Sequence, residues 1–212
     1  MHPISHSIST PDSPERQFWS WFEAHAEELA EADQGTPALA ELRHRLRRVD
    51  AGLTYELGVG ISPCELVISA DGIAGTFPAV LRLVAAAPEL RNWRIIAFRQ
   101  RSAVVPSIRF GDLDLDTDGI WFLAVPEAPR DNEEERVSLT LCVRGLTPEN
   151  ETSIAGATFI LLDHALGEYD VVTRIGQISW EPLPPDPGSL GLQPFRDLPQ
   201  AIDAFFKEMP RA

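Results

Sequence analysis

The apolar positions near the start of the chain repeat with the period of an α-helix. Phe18, Phe22 and Leu29 fall on one helical face, and Gly35 supplies a stop signal after them. A second apolar series follows over residues 36–49, where apolar residues recur three and four positions apart and the opposite face is basic. Because a short glycine-containing turn separates the two series, we predict an antiparallel helical hairpin.

The period then changes from 3.6 to two residues. Alternating apolar and polar residues over 53–59 predict a half-buried strand, and residues 64–70 predict a second strand. A short helix is expected over 76–86. The stretches 93–98 and 120–125 are apolar at nearly every position, which is typical of strands that are covered on both faces.

The second half of the chain repeats this mixture of strands and helices. Residues 137–143 show the cleanest alternation in the sequence and predict a strand. A helix is expected over 147–166, followed by a strand over 171–180. Residues 182–194 contain five prolines and are expected to be irregular. A last helix is expected after Asp197, which caps it.

This order of elements predicts an α+β fold. Several neighbouring strands are joined by loops too short for helical crossovers, so we expect a mainly antiparallel mixed sheet packed by helices, with the antiparallel helical hairpin at the N-terminus. Residues 1–12 are polar and aperiodic and are predicted to form a flexible tail. Residues 13–212 are predicted to form a single α+β domain.

The chain carries a strong excess of negative charge. Its 212 residues include 32 acidic and 18 basic side chains, and the formal net charge is −14. A nucleic-acid-binding surface needs the opposite balance, so no nucleic-acid partner is expected. The longest apolar stretch, 154–162, is far shorter than the ~20 residues of a membrane span, and no secretory signal is visible. We therefore expect a cytoplasmic protein without a membrane partner.

Positive and negative charges are concentrated in neighbouring segments. Residues 82–109 hold six arginines and one acid, whereas residues 111–135 hold nine acids and one arginine. Such segments either neutralise one another through ion pairs or form a bipolar surface that steers a charged partner. We favour the first interpretation, because unlike charges that are close in sequence usually face each other or water.

An acidic segment in the middle of the chain is a candidate calcium site. Asp114, Asp116 and Asp118 are spaced two residues apart and precede a glycine, as in the first half of a calcium-binding loop. The twelfth position of such a loop would be Val125 rather than a bidentate glutamate. The alternative is a strand with its acids outward and its leucines inward, ending in an Asp-Gly turn.

A second candidate site lies where the long helix is expected to end. Asp163, His164, Glu168 and Asp170 could supply metal ligands or an acid–base pair. No second histidine stands four residues away, so the zincin pattern is missing. The alternative is a structural helix end, in which the histidine interacts with the helix dipole and Gly167 adopts a left-handed conformation.

Other motifs of catalysis and cofactor binding are missing from the sequence. The chain lacks a nucleophile elbow, a dinucleotide-binding fingerprint and a phosphate-binding loop, and its only lysine is Lys207. Cys64 and Cys142 fall in predicted strands, where thiols are usually inert. We therefore predict no cofactor and assign no catalytic residue.

Three short motifs resemble a family of bacterial proteins of unknown function. They are FWxWF at 18–22, VISADG at 67–72 with the FPAV that follows it, and LLDxxLGEYD at 161–170. The resemblance covers most of the chain, from about residue 15 to residue 181. It implies a bacterial origin, but no activity or functional residue can be carried over from it.

Three functions follow from these observations. We expect a non-enzymatic cytosolic protein that binds another macromolecule, in particular a basic protein. One alternative is a metal-dependent hydrolase that uses Asp163, His164 and Glu168, or the segment 114–118. Another is a small-anion sensor that uses the arginines of residues 91–109.

Overall fold

The structure is a computed structural model that describes residues 13–103, 105, 107–111, 113–128 and 135–208. The tail expected over 1–12 and most of the acidic loop before residue 136 lie outside this set. The chain forms two compact units, one ending at Ala97 and the other beginning at Phe98. A single domain over 13–212 stays a prediction.

The first unit begins with the predicted helical hairpin. Its elements are α1 (Pro14–Ala30), α2 (Pro37–Val49), β1 (Thr54–Gly58), β2 (Cys64–Ser69), α3 (Phe77–Ala85) and β3 (Trp93–Ala97). The Ser13 hydroxyl accepts a hydrogen bond from the Arg16 N–H, and Pro14 occupies the first turn, which together fix where α1 begins. The two helices pack against each other, so the hairpin is confirmed.

Aromatic side chains attach the hairpin to the rest of the first unit. Phe22 is fully buried and packs edge-on against Trp93. The Trp19 indole N–H donates to the Leu83 carbonyl at 2.8 Å, and the Trp93 indole N–H donates to the Ala26 carbonyl at 3.2 Å. Both indole rings are therefore buried while their N–H groups remain hydrogen-bonded.

The sheet of the first unit has the order β1-β2-β3. β1 and β2 are antiparallel, whereas β2 and β3 are parallel because α3 crosses over between them. β3 was expected to be covered on both faces, but in the described chain it pairs only with β2 and its last three residues are half-buried. The apolar run predicts a strand, but it determines neither how many strands lie beside it nor how completely its faces are covered.

The second unit contains the remaining elements. They are β4 (Ile108–Phe110), β5 (Leu113–Leu115), β6 (Ile120–Pro126), β7 (Val137–Val143), α4 (Glu151–Leu166), α5 (Glu168–Arg174), β8 (Ile175–Pro182), β9 (Gln193–Pro194) and α6 (Leu198–Glu208). β4 and β5 form an antiparallel pair, and the larger sheet has the order β8-β7-β6-β9. Four of the six strand pairings in the described residues are antiparallel, so the α+β class with mixed sheets is confirmed.

The prediction of a strand over 171–180 is wrong for the first half of this stretch. α5 occupies this stretch up to Arg174, and β8 begins only at Ile175. Glu168, Val171 and Ile175 are buried at intervals of three and four residues, which is the helical period. The period was not visible in the sequence because a charged residue, Glu168, occupies one of its buried positions.

The core of the second unit lies between the larger sheet and the helices α4 and α6. The inner face of the sheet contributes Phe122, Leu139 and Leu141, which are almost completely buried. Leu161 of α4 and Ile202 of α6 pack into the same cluster. α4 is therefore anchored in this core along one side.

We expect the substitution Gly176→Ala to destabilise the second unit by about 1 kcal/mol. A Cβ at this position would overlap the carboxylate of Glu127. That carboxylate accepts hydrogen bonds from the Ser138 hydroxyl at 2.6 Å and from the Gln177 N–H at 2.8 Å, where β7 and β8 shift register. The added methyl group would displace it, and urea unfolding measures the loss of stability.

The control for this prediction is the same substitution in a Glu127→Ala background. This background removes the atoms nearest to the added methyl group, so Gly176→Ala should then cost much less. Equal costs in the two backgrounds would contradict the explanation.

Candidate functional site

The four residues of the helix-end candidate lie where α4 meets α5, and the segment 98–102 runs against them. The N–H of Glu168 donates to the Arg99 carbonyl at 3.0 Å. The N–H of Ser102 donates to the His164 carbonyl at 2.8 Å. The segment is therefore hydrogen-bonded to both sides of the turn, and we call the assembly the α4–α5 junction (98–102 with 163–170).

Gly167 makes the close approach at the junction possible. Its φ is 82° and its ψ is 145°, a conformation that is reached almost only by glycine. The positive φ agrees with the sequence interpretation, although ψ lies outside the left-handed helical region. A Cβ at this position would come within 3.3 Å of the Arg99 carbonyl oxygen and 3.4 Å of the Arg101 nitrogen.

Glu168 is fully buried in the junction. Its Oε2 accepts a hydrogen bond from the Arg99 N–H at 3.1 Å, so that the two residues are joined in both directions. The ring of the next residue, Tyr169, contacts the ring of Phe98, which has a positive φ of 64°. A buried carboxylate that accepts backbone N–H groups holds the chain in place around it.

Arg101 connects three elements through its guanidinium group. Its Nε donates to the Leu166 carbonyl at 2.7 Å, its Nη2 to Asp170 at 2.6 Å, and its Nη1 to both carboxylate oxygens of Asp203 at 2.9 and 3.0 Å. Burial acts to lower the pKa of Arg101, but the hydrogen bonds and charges of the two aspartates outweigh it and raise the pKa. The end of α4, α5 and α6 are thus joined at one side chain.

The other members of the candidate set have similar partners. Asp163 pairs with the Arg99 guanidinium at 3.4 Å, and His164 Nδ1 lies 3.1 Å from the Ser102 hydroxyl. Asp170 also contacts Arg174 at 3.2 Å. The carboxylates therefore face arginines and backbone N–H groups. In the described parts of the chain, no group of three or more His, Cys, Asp or Glu side chains could hold a metal ion.

The junction is chemically suited to holding elements together. A cavity of about 300 Å³ opens beside Arg99, Arg101 and Tyr169, but both arginines lining it are already hydrogen-bonded to aspartates. The sequence identified 163–170 and the arginines of residues 91–109 as separate candidates, and it missed that the segment 98–102 packs against the helix end. The signal that could have joined them is their opposite charge.

The aspartates of the calcium-loop candidate are directed to different partners. Asp114 pairs with Arg109 across β4 and β5 at 2.8 Å, and the Asp116 carboxylate accepts the N–H of Asp118 at 3.1 Å. Asp118 lies 3.8 Å from Arg196. The structure therefore does not bring the three carboxylates together, and a calcium site here stays a prediction.

Ion pairs account for most of the arginines between residues 82 and 109. The pairs join arginines to carboxylates of their own unit: Arg82 to Glu15, Arg94 to Glu65, Arg99 to Asp163, Arg101 to Asp170 and Asp203, and Arg109 to Asp114. Of these pairs, only Arg109–Asp114 joins the basic segment to the neighbouring acidic segment, and the other four arginines pair with carboxylates elsewhere in their unit. The charges of these arginines are therefore neutralised, but mainly by partners other than the predicted ones.

Exposed aromatic and aliphatic side chains cover the outer side of α4. Phe159 is 44% exposed, Ile160 is 40% exposed, and Phe110 of β4 is 39% exposed. The Phe110 ring occupies the space that a side chain at Gly156 would need. We call Phe110, Phe159 and Ile160 the aromatic patch. Sequence reasoning missed it, although the apolar stretch 154–162 is too continuous for a helix with one buried face.

The two cysteines are free thiols and are buried. Burial raises the pKa of the Cys142 thiol, and the nearby Glu181 carboxylate raises it further. We therefore expect that both thiols of the folded protein react with the disulfide reagent DTNB much more slowly near neutral pH than they do in urea. Rapid titration of either thiol in the folded protein would show that this expectation is wrong.

Comparisons with known proteins find no relative of this chain: no family model, no curated protein and no solved structure matches it. The resemblance to a bacterial family therefore stays a prediction. Among the helices in the described chain, none is long and apolar enough to cross a lipid bilayer.

Proposed function

We propose that the protein acts by binding another protein, and that the aromatic patch is the contact surface. The observation that carries this proposal is the exposure of two large side chains, Phe159 and Ile160, on a helix whose opposite side is buried in the core. A contiguous apolar surface on a water-soluble fold is typical of a site that another molecule covers.

The patch has the properties of a binding hot spot. Phe159 packs edge-to-face against Trp180, with ring centroids 5.8 Å apart, and the Trp180 indole N–H donates to the Thr158 hydroxyl at 2.8 Å. The Phe110 ring is seated over Gly156. Aromatic side chains held this firmly lose little conformational entropy when a partner binds them.

The charge of the chain favours a basic partner. With 32 acidic and 18 basic side chains, the protein attracts positively charged surfaces and repels nucleic acid and anionic lipid. Long-range attraction of this kind raises the association rate and weakens as salt is added. We therefore propose a partner that presents apolar side chains within a positively charged segment.

In this proposal the α4–α5 junction supports the patch and performs no reaction. The carboxylates and arginines of the junction are engaged with one another at the C-terminal end of α4, three residues beyond Ile160. They fix the end of the helix that carries the patch. A metal-dependent hydrolase at Asp163, or a small-anion sensor at Arg99 and Arg101, would need these groups to be released from their present partners.

Peptide display tests this function. A random peptide library is selected on the wild-type protein, and the enriched peptides are measured against Phe159→Ser and against Leu190→Ser. Leu190 is 64% exposed and lies outside the patch, so its variant controls for the loss of any exposed apolar side chain. We expect peptides with a net positive charge and apolar residues, whose affinity falls about tenfold for Phe159→Ser only.

Two outcomes would contradict the proposal. One is a selection that enriches no peptide, and the other is a set of peptides that bind the Phe159→Ser variant as well as they bind the wild type. Enriched peptides with a net negative charge would overturn the expected chemistry of the partner while leaving the patch as the binding surface.

We also propose a cytoplasmic location. Free buried thiols at Cys64 and Cys142 suit a reducing compartment, and the charge of the chain disfavours contact with anionic membranes. Fractionation of the source cells tests this, and recovery of the protein in the membrane or secreted fraction would contradict it.

A further inference from the structure

The outward side of the helical hairpin has an acidic end and a basic end. Glu27 and Glu28 are exposed in the last turn of α1, and Glu31, the C-cap residue that follows the helix, is exposed as well. His44, Arg47 and Arg48 are exposed in the last part of α2. We call these six residues the hairpin outer face.

The two groups of charges lie far apart on this face because the helices run in opposite directions. Arg45 of α2 lies over the ring of Trp21 in the first half of α1, at 5.4 Å from its centroid. The C-terminal part of α2 is therefore beside the N-terminal part of α1. The acids of α1 lie near the turn at Gly35, and the bases of α2 lie at the other end.

The charges of the hairpin outer face are not compensated by ion pairs in their own unit. None of the six side chains forms an ion pair with any residue in the part of the chain that the structure describes. Glu41, the acidic residue of α2, is hydrogen-bonded to Arg45. That hydrogen bond, with smaller effects from the charges of His44 and Arg48, lowers the pKa of Glu41. Glu27 and Glu31 are spaced four residues apart, where like charges destabilise a helix.

We propose that the hairpin outer face binds a second copy of this chain. A two-fold axis that lies in the plane of the contact, perpendicular to the line joining the two ends, brings the acidic end of each copy onto the basic end of the other, so that the same contact forms twice. The exposed residues between the two ends include Ala24 and Ala40, whose small side chains allow helices to approach closely. In the dimer the two hairpins would pack face to face as a four-helix bundle.

The negative net charge opposes this association, but it acts mainly at long range. At physiological ionic strength the Debye length is about 8 Å, so repulsion between distant acids on the two copies is largely screened. The complementary ends would meet at contact distance, where screening is weaker. Self-association that appears at moderate salt and declines at high salt is therefore expected.

Charge-reversal complementation, followed by sedimentation velocity, tests the proposal. The first variant, Glu27→Arg/Glu31→Arg, gives both ends of the face a net positive charge. The second, Arg47→Glu/Arg48→Glu, gives both ends a net negative charge. The wild type is expected to show a dimer whose fraction rises with concentration, and each variant alone is expected to be monomeric. An equimolar mixture of the two variants should form a dimer again, because their faces attract each other.

A matched control separates the face from the net charge. Glu89→Arg/Glu181→Arg changes the net charge by the same amount as the first variant at exposed positions outside the face, and it should dimerise at least as well as the wild type. A wild type that is monomeric at all concentrations would overturn the proposal, as would a mixture that stays monomeric. Circular dichroism of each variant tests whether it is folded. If the first variant does not fold, Glu27→Gln/Glu31→Gln takes its place and should weaken the dimer.

The proposal is independent of the aromatic patch. A monomeric wild type that still selects basic peptides would remove the dimer and leave the proposed function, whereas a dimer that selects no peptide would do the reverse.

Discussion

The substitution Arg101→Ala is expected to lower the free energy of unfolding by about 2 to 3 kcal/mol. It would leave the Leu166 carbonyl and the carboxylates of Asp170 and Asp203 without the donors that now satisfy them. Arg101 is 31% exposed, so water would compensate part of the loss, and the effect should be smaller than for a fully buried pair. Urea unfolding, followed by circular dichroism, measures the difference.

Arg109→Ala is the matched control for this prediction. Arg109 also pairs with an aspartate, Asp114, but the side chains of this pair are 76% and 73% exposed. Solvent screening makes such pairs weak, and the expected cost is below about 0.5 kcal/mol. Arg101→Lys should be intermediate, because a lysine keeps the charge but cannot reproduce the planar set of donors. Similar small losses for Arg101→Ala and Arg109→Ala would contradict a structural role for the junction.

Gly167→Ala is expected to cost about 2 to 4 kcal/mol. The alanine would have to adopt a φ of 82° with a ψ of 145°, and its Cβ would crowd the backbone of Arg99 and Arg101. Backbone atoms cannot move aside as the end of a flexible side chain can. The segment 98–102 would therefore be pushed away from the helix end, and the hydrogen bonds on both sides of the turn would lengthen.

Substitutions at two other glycines distinguish backbone strain from crowding as the cause of this loss of stability. Gly145 also has a positive φ, 77°, but has no atom within 4 Å of the position of a Cβ, so Gly145→Ala should cost about 1 kcal/mol from backbone strain alone. Gly188 has neither feature, and Gly188→Ala should be nearly neutral. If Gly167→Ala cost no more than Gly145→Ala, the close approach of the segment 98–102 would not be important for stability.

Local patterns in the sequence were sufficient to predict most of the elements. The hairpin, the strands β1, β2 and β7, and the helix α3 follow from periods of 3.6 or two residues with clear start and stop signals. The α5 helix was missed because the burial of Glu168 depends on the N–H of Arg99, which is 69 residues away. A local pattern carries no information about such a partner.

The role of the candidate site could not be predicted from local sequence patterns either. The motif around Asp163 and Asp170 indicates a helix end rich in charged groups, and this was recognised in the sequence. The choice between a reactive cluster and a structural one depends on what faces it, and here those groups are Arg99, Arg101 and Ser102. They are supplied by tertiary contacts that one sequence does not reveal.

The aromatic patch was missed for a different reason. Phe159 and Ile160 belong to an apolar stretch that also contains the buried Leu161 and Leu162. Hydrophobicity alone does not distinguish the residues of a core from those of an exposed patch. Only the packed structure identifies which of the four side chains remains in contact with water.

A double-mutant cycle between Arg101 and Asp203 tests most directly whether the junction is held together by its charged groups. Asp203 comes from α6, and both of its oxygens lie within 3.0 Å of the Arg101 guanidinium. The unfolding free energies of the wild type, Arg101→Ala, Asp203→Ala and the double variant are expected to give a coupling of about 1 to 2 kcal/mol. A coupling of zero within error would contradict the account.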